Sequence, residues 1–172
     1  MPKVSLVIRE CRDADEAAVG ALLVDAFVTK YAEKLPEVVV GDERRRDLLD
    51  VRRKRGLATV LLAERDGEVL GTVTLYPPAA RTSETFLPDA ANLRYLATHP
   101  KTHGQGISRA LLDETERLAF EVWGAAAICL HVRRGAVGVA GLYQRRGYLR
   151  AAHADLDSPA VFLEGFYLPR PG

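Results

Sequence analysis

An α+β fold built on a mixed sheet is what this sequence predicts, on three observations. Asp66-Gly67 joins two strand-like runs as a two-residue hairpin, so part of the sheet is antiparallel. The strand–helix–strand succession over residues 92–132 has the length of a right-handed parallel crossover. Two short strand patterns, 149–154 and 161–168, close the chain as a second hairpin. With 172 residues the chain reads as one domain, 1–172, large enough for a continuous core.

In chain order, residues 4–9 read as a first strand. Asp13 followed three residues later by Glu16 has the form of a capping box, and Val19, Leu22, Leu23, Ala26 and Phe27 recur at helical spacing after it. The pattern dissolves over 29–41, where Pro36 interrupts it. Residues 42–55 form a charge-dense helix with Leu48, Leu49 and Val51 as a narrow apolar strip. Its acidic residues Asp42, Glu43, Asp47 and Asp50 offset most of the arginines, so a solvated face is expected rather than a nucleic-acid surface. Residues 58–64 and 68–76 are the hairpin strands, ended by Pro77-Pro78. Residues 77–91 carry no periodicity, and an unpatterned loop of that length suits a binding role. Residues 92–98 are the next strand. Ile107, Leu111, Thr115, Leu118 and Val122 mark a long helix closed by Gly124, and 125–132 is an apolar strand. A last helix over 135–146 is weakened by Gly135, Gly138 and Gly141 and stopped by Gly147.

The run His103-Gly104-Gln105-Gly106-Ile107-Ser108 lies where the central strand turns into the long helix. Glycines there let backbone N–H groups approach a ligand without obstruction by Cβ. The helix that follows adds its unsatisfied first-turn donors and the positive end of its dipole. That combination is a site for an anion, most naturally a phosphate or pyrophosphate.

Two motifs in this order resemble the GNAT superfamily of acyl-CoA-dependent N-acetyltransferases. The segment Leu96-Ala97-Thr98-His99-Pro100 leading into His103-Gly104-Gln105-Gly106-Ile107-Ser108 is similar to the family's strand, R/Q-x-x-G-x-G/A loop and helix. Leu142-Tyr143-Gln144-Arg145-Arg146-Gly147-Tyr148 is similar to its L-Y-x-x-x-G-F. The resemblance implies a mixed, mostly antiparallel sheet flanked by helices, with a parallel central strand pair that splays apart to admit acetyl-CoA. It implies that pantetheine amides pair with the backbone of Leu96, Ala97 and Thr98. The pyrophosphate then rests on the amides of His103, Gly104, Gln105, Gly106, Ile107 and Ser108, and Tyr143 serves as the acid facing the sulfur. The implied acceptor is a primary amine of a small molecule or peptide, attacked directly in a ternary complex, with residues 26–40 and 77–91 forming the acceptor side. Departures accompany the matches. His103 stands where the family has Arg or Gln, Ser108 where it has Gly or Ala, Ala136 where many relatives have Asn, and Val139 where they have Ala. Asn92 stands where several branches carry a glutamate base, and an amide cannot accept that proton. The departures at His103, Ala136 and Asn92 motivate an alternative of a different class, a non-catalytic acyl-CoA-binding or sensing module.

Composition excludes other classes. The chain is 48% hydrophobic and 27% charged with net charge +1, which favours neither nucleic acid nor membrane as partner. No apolar run approaches the roughly 18 residues of a spanning helix. Cys11 and Cys129, far apart, read as two buried thiols, and a cytoplasmic setting is expected. His99 and His103 are four apart, but Pro100 prevents a shared helical face, so no metal site is expected. Glu84 and Asp89 on the long loop are candidates to reach the acceptor, with solvated carboxylates the simpler reading. Tyr95 shares a face with Leu93 and Ala97, and packing is its expected role. His131 reads as a core or wedge-lining hydrogen-bonding residue. Oligomeric state stays open, a homodimer among the options.

Overall fold

The computed structural model describes residues 5–30, 33 and 41–172. Among the described residues, eight strands make a mostly antiparallel sheet that includes one parallel pair. The chain divides into two compact units, Met1–Leu75 with Tyr95–Thr115, and Tyr76–Arg94 with Glu116–Gly172.

In the first unit, strand β1 (Val7–Glu10) pairs antiparallel with β2 (Thr59–Arg65), from Val7↔Glu64 to Glu10↔Leu61. Strand β2 pairs in turn with β3 (Glu68–Tyr76). The hairpin turn falls where expected, with Asp66 and Gly67 at φ 54° and 75°, the left-handed pair a tight hairpin demands. Helix α1 (Glu16–Val24) follows a 3-10 turn at Asp13–Asp15 and runs into a π-helical turn at Asp25–Thr29. The start differs from the expected Asp13–Glu16 box. The Arg12 N–H donates to Asp15 Oδ2 at 2.8 Å, while Asp13 pairs with Arg55 at 2.6 Å. The Arg9 guanidinium, bound to both Asp15 and Glu64, lowers the Asp15 carboxyl to about 2.

The expected single helix over 42–55 is two helices, α2 (Asp42–Leu49) and α3 (Val51–Leu57). Asp50 breaks it with ψ of 66°, and its carboxylate accepts the Arg53 N–H at 3.1 Å. A short acidic side chain that can cap a new helix competes with continuing the old one. Leu48 and Val51 enter a core with Val19, Leu22, Leu23, Val60, Leu62 and Ala97. The solvated face holds for most of the arginines but not for Lys54, which is 4% exposed. The unpatterned stretch 29–41 lies largely outside the described residues.

Strand β4 (Ala90–Thr98) contributes its last residues to this unit, and helix α4 (Ile107–Arg117) begins here. Gly71 on β3 seats that helix: a Cβ at this position would stand 2.7 Å from Ile107 Cγ2 and 3.0 Å from Leu111 Cδ1.

In the second unit, β4 starts parallel to β5 (Ala127–Arg133), from Ala90↔Ala127 to Asn92↔Cys129. Strand β5 pairs antiparallel with β8 (Phe162–Pro169). The long helix ends in a π-helical turn, Leu118–Val122, where the Trp123 N–H reaches the Leu118 carbonyl at 2.9 Å, and Gly124 at φ 62° stops it. Helix α5 (Val137–Arg145) precedes the closing strands. The expected strand 149–154 is only β6 (Leu149–Arg150) and a 3-10 turn, after which β7 (Leu156–Asp157) also pairs with β8. The turn is fixed by the two-pronged Arg150–Asp155 ion pair at 2.5 and 2.7 Å. Gly165 allows it, since a Cβ there would meet the Ala151 carbonyl and Ala154 Cβ at 2.9 Å. Among the described residues no helix is long and apolar enough to cross a membrane.

Candidate functional site

The glycine loop is built by a tight turn. After Leu96, Ala97 and Thr98 at the end of β4, His99 Nδ1 accepts the Lys101 N–H at 3.2 Å and the Thr102 hydroxyl donates to the His99 carbonyl at 2.7 Å. Both His99 groups therefore serve the turn. Gly104 and Gly106 then adopt φ of 77° and 78°, with space around the missing Cβ atoms, so the requirement for glycine is conformational. Two of the loop's amides are engaged inside it, His103 to the Pro100 carbonyl at 3.4 Å and Gln105 to Thr102 at 3.0 Å. The Gln105 side chain accepts from Arg65 at 2.7 Å and donates to the Lys101 carbonyl at 3.2 Å. Gly106 opens α4 by accepting the Ala110 N–H at 3.0 Å. The amides of Ile107 and Ser108 therefore sit in the first turn, where no carbonyl four residues back is available. His103, Gly104, Gln105 and Gly106 are exposed, Ser108 is half-buried, and the buried Ile107 side chain anchors the turn. An exposed left-handed glycine pair at a helix N-terminus is chemistry for an oxyanion.

Just before this segment, Tyr95 has φ of 59° inside a strand. That conformation is rare for an aromatic residue. The ring still packs against the core cluster that includes Ala97, the role expected of it. Its hydroxyl donates to Asp47 Oδ2 at 3.2 Å.

In the second unit, Asn92 is 0% exposed and hydrogen-bonded at both ends of its amide. Its Nδ2 donates to the Cys129 carbonyl at 3.1 Å, at the last residue pair of the β4–β5 register, and its Oδ1 accepts from the Thr82 hydroxyl at 2.8 Å. The amide is thus used for its donor, which a carboxylate lacks. Glu84, on the long loop, pairs with Arg94 at 2.5 Å and stands 3.5 Å from His131 Nδ1. His131 Nε2 lies 2.9 Å from the Ala154 carbonyl, an acceptor only, so that nitrogen carries hydrogen. Its side chain is 2% exposed, and Nδ1 has no hydrogen-bond partner within normal reach. Burial disfavours the imidazolium, but Glu84 and the Ala154 carbonyl outweigh it and raise this histidine above its ordinary 6.5. Phe86 packs edge-on against His131, His153 and Tyr167. Asp89 sits at φ 52°, its carbonyl accepting the Ala126 N–H at 2.8 Å.

Tyr143 is 4% exposed on α5. The helix ends in a Schellman motif: the Tyr148 N–H bonds the Tyr143 carbonyl at 3.1 Å and the Gly147 N–H bonds Gln144 at 3.0 Å, with Gly147 at φ 97°. The two tyrosine rings meet edge-on at 5.2 Å, the apolar contact that accompanies such a stop. Burial pushes the Tyr143 phenol well above its ordinary 10, with Arg146 offsetting a little.

A family model described as acetyltransferase (GNAT) family matches residues 18–148. The chain belongs to the GNAT acetyltransferase family. Solved GNAT-fold neighbours cover nearly all of it. The ribosomal-protein-alanine N-acetyltransferase of Brucella melitensis shares 22% identity at a TM-score of 0.66, covering 95% of this chain and 99% of its own. The PaiA N-acetyltransferase of Thermoplasma acidophilum, solved with coenzyme A, shares 17% at 0.67, covering 94% and 98%. YncA of Salmonella typhimurium, solved with its cofactor acetyl-CoA, shares 17% at 0.65, covering 98% and 95%.

Within this GNAT chain, the first unit brings together Leu96, Ala97, Thr98 and the loop His103, Gly104, Gln105, Gly106, Ile107 and Ser108. The second holds Tyr143, Glu84 and His131. Sequence reasoning missed the Tyr95 backbone, because left-handed strand residues announce themselves as Gly or Asn and an aromatic gives no signal. It missed the use of Asn92 as a donor as well, since a single buried amide reads the same whichever end is needed. Among the described residues no group of three or more His, Cys, Asp or Glu side chains is arranged to hold a metal ion.

Proposed function

We propose that this GNAT protein transfers an acetyl group from acetyl-CoA to a primary amine of a small molecule or peptide, by direct attack in a ternary complex. One observation carries the reading: inside the matched region, an exposed left-handed glycine pair leads into the N-terminus of α4. The pyrophosphate of acetyl-CoA binds on the amides of Gly104, Gly106, Ile107 and Ser108, and the pantetheine amides pair with the backbone of Leu96, Ala97 and Thr98. Neighbours solved with coenzyme A and acetyl-CoA support the donor. The Brucella neighbour's action on an alanine of a ribosomal protein supports an amine acceptor.

In the reaction the neutral amine nitrogen attacks the thioester carbonyl, an N–C bond forms, and the oxyanion leans on a backbone N–H near Ala97 or Thr98. The C–S bond then breaks and the thiolate is met by the Tyr143 hydroxyl. A lysine-like amine has a pKa of about 10, so its proton leaves through water rather than a named carboxylate. Glu84 is held by Arg94 beside His131 and Asn92 cannot accept a proton. Direct transfer is favoured because neither thiol is activated: burial raises Cys11 to about 11 and also raises Cys129.

The test is a thermal-shift titration with coenzyme A together with thiol release from acetyl-CoA across a panel of amines. Saturable stabilisation with amine-stimulated thiol release is expected. Binding without amine-stimulated release supports the non-catalytic acyl-CoA module instead, and no binding overturns both.

A further inference from the structure

Tyr95, left-handed at φ 59°, has its ring in a cradle on α2 and α3. A left-handed aromatic residue within a strand persists only where its surroundings over-determine it. Here the ring is gripped at its tip and its face. Asp47 Oδ2 takes the hydroxyl hydrogen at 3.2 Å, Lys54 Nζ lies 4.9 Å from the ring centroid, and Arg44 Cζ lies 5.8 Å from it. The grips are themselves fixed. Lys54 is 4% exposed and donates to the Asp47 carbonyl and, at 3.4 Å, to that of Asp50, while Arg44 donates to Asp47 Oδ2 at 3.2 Å. Asp50 is the residue that breaks the helix in two, so the break brings Lys54 under the ring.

We propose that Asp47 and Lys54 are positioning residues for acetyl transfer: they clamp the Tyr95 ring, lock its backbone at positive φ, and so aim the peptide groups of Leu96, Ala97 and Thr98. The inference rests on the functional reading above, since it assigns those peptide groups to the pantetheine amides and the thioester oxyanion. The clamp acts through the backbone, not by touching substrate, which makes its signature distinctive. Glycine adopts positive φ without help, whereas alanine does not.

The experiment compares Tyr95→Ala, Tyr95→Gly, Tyr95→Phe and Asp47→Ala, with the Asp47→Ala change repeated in the Phe and Gly backgrounds. Melting temperature and steady-state kinetics are measured for each, and φ at residue 95 is read from crystal structures. Tyr95→Phe and Asp47→Ala are each expected to lower kcat roughly three- to tenfold with KM for the amine little changed, the loss fitting one hydrogen bond. Their combination should be no worse than either alone. Tyr95→Gly should exceed Tyr95→Ala in kcat by roughly fivefold or more, the difference between backbones that do and do not resist positive φ. In the Gly background, Asp47→Ala should change nothing further. Additive losses, equal Gly and Ala variants, or a residue 95 that keeps positive φ and full kcat without Asp47 would overturn the proposal. A wild-type chain that binds coenzyme A but acetylates no amine defeats the functional reading alone. In that case φ at residue 95 in Asp47→Ala still decides the clamp.

Discussion

Replacing Asn92 by Asp asks whether this position is a lost catalytic base or a structural donor. The substitution keeps the shape and keeps an acceptor for the Thr82 hydroxyl. It removes the N–H that satisfies the Cys129 carbonyl at 3.1 Å in a place with no solvent exposure. An ionised carboxylate would face that carbonyl oxygen directly, so the folded state instead protonates the new side chain, which can then donate its O–H to Cys129. The energetic ceiling is therefore the cost of protonation. An aspartate with an unfolded pKa of about 3.9 costs about 4 kcal/mol to hold neutral at pH 7, and about 1.5 kcal/mol at pH 5. The folded pKa is raised above the unfolded one. The destabilisation is thus absent below pH ~4 and grows as pH rises toward the folded pKa, opposite in sign to a salt-bridged carboxylate.

Urea unfolding of wild type and Asn92→Asp at pH 5 and pH 7 measures this directly. The expected result is a deficit of about 1.5 kcal/mol at the lower pH that widens to between about 2 and 4 kcal/mol at the higher. A variant as stable as wild type at pH 7, with increased turnover and a new acidic limb in its rate profile, would refute the donor argument and restore the base.

Three further outcomes test other parts of the structure. Gly71→Ala drives a Cβ to 2.7 Å from Ile107 Cγ2, and an overpacking penalty of about 1–3 kcal/mol should appear in urea unfolding, together with weaker coenzyme A binding through the displaced first turn of α4. Gly106→Ala meets no neighbour but disfavours φ near 78°, so the exposed loop should relax in the free chain and be strained by about 1–2 kcal/mol on binding, weakening coenzyme A in calorimetry at least fivefold while the melting temperature moves little. His131 has its pKa raised on folding, so its stabilisation is full below pH 6.5 and is lost as pH rises through the folded value. Glu84→Gln should remove that pH dependence and lower the His131 midpoint in an NMR titration; an unchanged midpoint would show that Glu84 does not hold the imidazolium.

What was legible in the sequence had local chemistry. Asp66-Gly67 specifies its turn because two consecutive left-handed residues are required there, and the glycine loop is visible because Gly104 and Gly106 alternate before a helical pattern. The L-Y-x-x-x-G-Y segment is visible for a related reason, since the glycine and the two tyrosines are the parts of one helix stop. What escaped was set by tertiary contact. Asp50 divides a pattern that reads as one helix, because a carboxylate's choice between capping and facing solvent is decided by what packs around Lys54. Arg150 shortens the last hairpin by a bond to Asp155 that no periodicity encodes. At Tyr95 the local preference is overridden outright, and an override leaves no trace in one sequence. Such residues concentrate at sites where geometry matters more than stability.

The environment of Tyr143 limits what acid chemistry it can do. A phenol at its ordinary 10 already sits above a thiol at about 8.5, so complete proton transfer to the leaving thiolate is uphill by about 2 kcal/mol. Burial pushes the phenol higher and makes transfer less favourable still. The same burial keeps the hydroxyl protonated throughout the working range, which suits a hydrogen-bond donor that stabilises the thiolate until solvent protonates it. Two consequences follow. Burial moves the ionisation of the phenol upward in either role, so kcat should be free of a Tyr143 limb up to pH ~10. Tyr143→Phe keeps the ring contact with Tyr148 and the helix stop, so the melting temperature and coenzyme A affinity should hold, while kcat falls roughly 10- to 100-fold by about the same factor at every pH. A Phe variant with wild-type kcat across the alkaline range would return Tyr143 to the purely structural role that the Schellman motif already gives it.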